Sequence, residues 1–201
     1  MKKTFSLLFL SALVLGGFYY FHAVPQGKMP VRGDETIICF GDSLTSGTGA
    51  GDGMDYPSQL SRMIAKPVIN AGVSGDTTTR ALKRLERDVL VKSPDIVLIT
   101  LGGNDLKNGL AKEIAFKNLK IIVDSIQKSG ARVIIGGLKF PLRDRGFGRG
   151  YAELADQTGA ILIPNILEGI MGNPKLMSDP IHPNGDGYKI MAERFYEAMR
   201  Q

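Results

Sequence analysis

Short runs of continuous apolar residues alternate along the chain with longer stretches whose apolar positions recur every three or four residues. Thr36–Phe40, Ile96–Leu101, Val133–Ile135 and Ile161–Ile163 are runs of the first kind, the pattern of strands buried on both faces. Val68–Asn70, just after Pro67, adds a shorter strand. Helical spacing appears over Tyr56–Ile64, where Pro57 suits the first turn. It appears again from a cap at Thr77 or Thr78 to about Leu90, with Leu82, Leu85 and Val89 on one face. Residues 111–129 place Ala115, Leu119, Ile122 and Ile126 in one stripe, ended by Gly130. A short helix over Tyr151–Gln157 and a final one over about Gly185–Met199, with Tyr188, Met191, Phe195 and Met199 as its packed face, complete the set. The long basic loop 136–148 and the irregular segment 165–181, with one helical turn around Ile166–Met171, lie between them.

This alternation predicts an α/β fold: a three-layer α/β/α sandwich with a mostly or wholly parallel central sheet of about five strands. Crossovers through helices bring the strand ends to one edge. The loops after Phe40, Asn70 and Leu101 therefore gather there, and the segment before the final helix reaches the same edge.

The amino terminus follows a different pattern. Met1-Lys2-Lys3 precedes an uncharged apolar run from Phe5 to Phe21, the form of a secretory signal. As a helix that run extends roughly 25 Å, slightly short of a typical bilayer core. Ala23 is a candidate cleavage position, yet Phe21 is bulky for a processing site, so residues 1–23 read as a signal peptide or an uncleaved inner-membrane anchor. Either way the positive end stays cytoplasmic, and the rest is expected in the periplasm or elsewhere outside the cytoplasm. Residues 24–35, with Pro25, Pro30 and Gly33, form a tether, and residues 36–201 form the one globular domain.

Composition narrows the function. The formal charge is +5, and Lys2 and Lys3 supply two of those charges, so the rest of the chain lacks the electropositive face of a nucleic-acid binder. The single cysteine, Cys39, excludes an internal disulfide and a multi-cysteine metal site, and its place in a strand makes it a buried apolar residue. No cofactor and no metal are expected, and the domain is expected to act as a monomer on a small molecule.

Chemistry concentrates where the predicted strands end. The first strand runs into Gly41-Asp42-Ser43-Leu44-Thr45, which lacks the second glycine of a Gly-x-Ser-x-Gly elbow. A serine hydroxyl needs a base within hydrogen-bond reach to become a nucleophile. Of two histidines, His22 lies in the export segment, which leaves His182 in Ser178-Asp179-Pro180-Ile181-His182-Pro183-Asn184. Asp179, three residues earlier, can reach the imidazole within one compact turn and fix its tautomer. Gly75 can present a backbone N–H, and Asn104 its side-chain amide, to developing oxygen charge; with the Ser43 N–H they make three oxyanion donors. Taken singly, Ser43 reads as a strand-end cap, His182 as part of a surface turn, and Asn104 as a helix cap.

Four separated blocks change that balance: Phe40-Gly41-Asp42-Ser43-Leu44-Thr45, Gly72-Val73-Ser74-Gly75-Asp76-Thr77, Gly102-Gly103-Asn104-Asp105 and Asp179-Pro180-Ile181-His182-Pro183-Asn184. In this order they resemble the SGNH hydrolases, or GDSL esterases and lipases, in particular the bacterial arylesterase and multifunctional thioesterase–lysophospholipase branch. The resemblance spans about Thr36 to Gln201 and implies a flavodoxin-like fold. It implies Ser43 as nucleophile, His182 as general base and acid, Asp179 as the orienting carboxylate, and Ser43, Gly75 and Asn104 as the oxyanion donors. It also makes Asp42, Asp76 and Asp105 structural.

The expected reaction is hydrolysis of carboxylic esters, whether aryl esters, acyl thioesters or lysophospholipids, through an acyl-enzyme. Deacetylation of an exported carbohydrate would use the same residues, and a non-catalytic membrane-attached binding module is a reading of another class. Met54, Leu106, Leu110, Phe140, Leu142 and Ile181 are the candidates for an acyl groove. Arg143, Arg145 and Arg149 read as a solvated loop face, with an anionic headgroup as the other reading, and segment 139–150 is where specificity is expected.

Overall fold

The computed structural model describes residues 34–139 and 144–201. The predicted signal or anchor, all but the last two residues of the tether, and Phe140, Leu142 and Arg143 lie outside the described residues. Five parallel strands form one sheet: β1 (Ile37–Gly41), β2 (Val68–Gly72), β3 (Ile96–Thr100), β4 (Arg132–Gly136) and β5 (Ile161–Ile163), in the order β2-β1-β3-β4-β5. β1 and β3 are buried along their whole length, as their two-sided apolar sequence requires. Ile161–Ile163, expected to be fully buried, is an edge strand and only half-buried. Three residues paired on one side cannot be covered as a central strand is.

The helices are α1 (Ser43–Ser46), α2 (Tyr56–Ile64), α3 (Thr78–Asp88), α4 (Gly103–Lys107), α5 (Lys112–Lys128), α6 (Phe147–Thr158) and α7 (Gly185–Met199). Asp55 and Thr77 cap α2 and α3 through side-chain bonds to Ser58 N and Arg80 N, and Asn184 caps α7 by accepting from Asp186 N and Gly187 N. α2 packs on α7, with the Tyr56 and Phe195 rings stacked 5.1 Å apart. α5 packs on α6, with Phe116 edge-on to Phe147 and Tyr151 at 5.3 and 5.1 Å.

The strand order reverses between β1 and β3, and in sheets of this kind ligands bind in the crevice beyond the strand ends at such a point. β1 delivers Asp42 and Ser43 there, and β3 delivers Gly102 to Asn104. Two glycines let the elements close up. A Cβ on Gly41 would run into the Thr45 and Thr100 side chains, and one on Gly72 into the Ser46 backbone nitrogen. The end of β2 is thereby seated directly under α1.

Candidate active site

Ser43 is the first residue of α1 and His182 sits in the turn before α7, 139 residues later. The fold brings them into hydrogen-bond contact: the Ser43 hydroxyl lies 3.0 Å from His182 Nε2. On the other side of the ring, His182 Nδ1 lies 2.7 Å from Asp179 Oδ2. An ionised carboxylate only accepts, so Nδ1 carries the proton and Nε2 offers its lone pair to the serine O–H. The second Asp179 oxygen accepts from the Ile181 and His182 backbone N–H groups, both at 2.8 Å. The bond from His182, helped by those N–H donors, holds the Asp179 carboxyl down at about 2. The turn is therefore charged and closed at neutral pH.

Asn104, in the first turn of α4, donates from its amide to the Asp76 carbonyl at 2.9 Å and to Asp42 Oδ2 at 3.3 Å. The Ser43 N–H is the first of α1, a position whose N–H has no acceptor within the helix. Gly75 is exposed in the loop after β2 at φ +76° and is not part of the cleft wall. Its neighbour Ser74 ties that loop to the turn that begins at Ser43 through 2.8 Å hydroxyl contacts to Ser46 and Thr48.

Asp42, Asp76 and Asp105 are 3%, 1% and 0% exposed, so each needs partners. Asp42 accepts from Leu44 N, and Asp105 accepts from the Thr78 N–H and hydroxyl. Burial pushes the Asp42 carboxyl up to about 7, against the Leu44 bond. Asp76 takes a guanidinium instead: Arg84 Nε is 2.7 Å away. Arg84 also donates to the Ala71 and Gly41 carbonyls, both at 2.8 Å, and lies 4.3 Å over the Phe40 ring. One buried side chain thus ties the ends of β1 and β2 to the loop that carries Gly75. Sequence reasoning missed it. The available signal was an arginine one turn after Ala81 and one turn before Asp88, on the buried side of α3.

A cleft of about 330 Å³ opens beside Ser43, His182 and Asn104. Of the groove candidates Leu106 and Ile181 line it, joined by Leu138, Leu167 and Met171, which the sequence reading left out. Two candidates do not line it. Met54 precedes the Asp55 cap of α2 and packs on Gly185 at the start of α7. Leu110 turns under the core, because Gly109 reverses the chain at φ +71° and the Leu110 N–H returns to the Asp105 carbonyl. Cys39 is fully buried, and burial pushes its thiol up, as an inert core residue requires.

The sequence profile of the GDSL-like lipase/acylhydrolase family matches residues 39–190, the span that carries all four of these loops. The chain belongs to that family. Esterase TesA of Pseudomonas aeruginosa is 31% identical to it over 160 residues, 74% of this chain and 80% of its own. An arylesterase of Vibrio mimicus is 30% identical over 176 residues, 81% and 86% of the two chains. Among solved structures, the crystal structure of TesA matches with a TM-score of 0.78 at 29% identity, covering 83% of this chain and 98% of that one. AlinE4, an SGNH-hydrolase family esterase, matches with a TM-score of 0.67 at 34% identity, covering 84% and 96%. As a GDSL family member the chain is a serine hydrolase that cleaves ester bonds through an acyl-enzyme.

Proposed function

We propose that Ser43 is the nucleophile, His182 the general base and acid, and Asp179 the carboxylate that orients it, in an exported esterase acting on aryl esters, acyl thioesters or lysophospholipids. The unbroken run of contacts from Asp179 through His182 to Ser43, beside an apolar cleft, carries this reading. His182 Nε2 takes the Ser43 proton as Oγ bonds to the acyl carbon, and the carbonyl electrons move onto oxygen. That oxyanion is met by the Ser43 N–H and by the Asn104 hydrogen held only by its 3.3 Å contact to Asp42, and the Gly75 N–H joins them from outside the cleft wall, on the loop that Ser74 ties to the Ser43 turn. The oxyanion collapses, the alcohol or thiol leaves with the proton from His182, and water repeats the sequence to release the acid.

The cleft is at the small end for ligand sites, with room for one acyl chain or one aromatic ring. Export rests on the charged-then-apolar pattern of residues 1–23, and the mass of the exported protein distinguishes cleavage from retention as an anchor. Among the described residues no helix is long and apolar enough to cross a membrane. An organophosphonate should label Ser43 alone, and Ser43→Ala should lose labelling and all but a trace of ester hydrolysis while keeping its unfolding transition. Label mapped to another residue, or wild-type turnover by the Ala variant, removes the assignment.

A further inference from the structure

We infer that the cleft selects esters that carry an anionic group, a carboxylate or phosphate held by Lys107 and Arg145. This deepens the serine-esterase reading above and rests on it. Both cations line the cleft, Lys107 at the end of α4 and Arg145 just before α6, together with the apolar side chains of Leu138, Leu167, Met171 and Ile181. Neither has an ion-pair partner among the described residues, whereas Arg84, Arg87 and Lys120 each have one. The acids nearby are already engaged. Asp42 is buried on Leu44 N and Asn104, Asp179 is held by His182, and Asp144 turns onto the Gly148 N–H.

Arg145 also sits at φ +46°, a left-handed conformation that costs a side-chain-bearing residue free energy and so calls for a reason. Its guanidinium reaches the turn that follows Lys107: a Cβ on Gly109 would stand 4.0 Å from Nη1. Lys112 backs the same rim, its Nζ 3.7 Å from where a Gly146 Cβ would be. Two cations therefore line the cleft with a third close behind Gly146, and the apolar residues that share the lining strengthen their field inside it. The ligand that fits is an amphiphile, with its acyl carbonyl at Ser43, its chain on the apolar wall and its negative charge at the rim.

Matched soluble esters test this. Glycerol monobutyrate against its phosphate monoester places the anion on the leaving alcohol, and para-nitrophenyl butyrate against para-nitrophenyl hydrogen glutarate places it on the acyl side. At low ionic strength one anionic member should exceed its neutral twin in kcat/KM by about tenfold, the scale of two exposed charge contacts. That ratio should fall toward one in the Lys107→Gln/Arg145→Gln double variant, and in the wild type as salt is raised. The arm that shows the preference identifies the side bearing the charge. Ratios of one or below in both arms, or a ratio unchanged in the double variant, overturn the inference. Failure of the wild type to hydrolyse either neutral ester overturns the esterase reading instead.

Discussion

Replacing Arg84 with Met leaves the apolar stem in place and removes only the guanidinium. Four polar partners lose a donor, but unequally. The Gly41 carbonyl still accepts from Val73 N, and Asp88 keeps Arg87. Asp76, 1% exposed, is left with Arg80 at 3.5 Å, a side chain that is 61% exposed. The cost therefore concentrates on one buried carboxylate, and breaking a buried pair by removing one partner costs about 3–5 kcal/mol. For a domain of this size that lowers Tm by ~6–20 °C. Urea unfolding followed by circular dichroism measures it, and a cycle with Asp76→Asn isolates the pair. The double variant should be more stable than the sum of the single losses implies, by at least about 1.5 kcal/mol. A loss below about 1 kcal/mol for Arg84→Met, or strict additivity in the cycle, would refute the view that this pair anchors the loop.

Two further outcomes follow from the site. Asn104→Ala should lower kcat by roughly 10²–10³, the cost of one oxyanion donor, with a far smaller change in KM; an unaltered kcat would exclude Asn104 from the oxyanion site. Asp42 is raised to about 7 in the folded protein, so it keeps a proton there that the unfolded chain releases near pH 4. Its contribution to stability is full below about pH 4 and lost as pH rises through about 7. Stability measured across that window should therefore decline more steeply in the wild type than in Asp42→Asn, by about 1–4 kcal/mol in total. Parallel curves would show that Asp42 does not hold the proton.

Most elements were legible because two-sided burial and helical periodicity are written directly in side-chain order. Tyr56–Ile64, Ile161–Ile163 and Gly185–Met199 match their expected bounds. α6 begins four residues before Tyr151, since Gly148 and Gly150 look like loop residues. Gly150 in fact lies flat against the Phe116 ring, where a Cβ would collide. The contact between Ser43 and His182 was legible from motif blocks at predicted strand ends. Arg84 was not, because an arginine in a helix normally reaches for water, and only the neighbouring carbonyls explain its burial. Met54 and Leu110 failed as groove residues for a related reason: which way an apolar loop residue turns depends on the cap or reversal beside it.

The 139 residues between Ser43 and His182 have a consequence for the chain as it is made. The strand bearing the serine emerges early, while the imidazole and its carboxylate come almost last, together on one short turn. A growing polypeptide therefore holds a lone hydroxyl where the finished one holds a hydroxyl hydrogen-bonded to an imidazole. The contact between them forms only when the closing helix has settled, its Tyr188 hydroxyl 2.8 Å from the Thr48 carbonyl, so an unfinished copy lacks the proton acceptor that a serine needs to attack an ester.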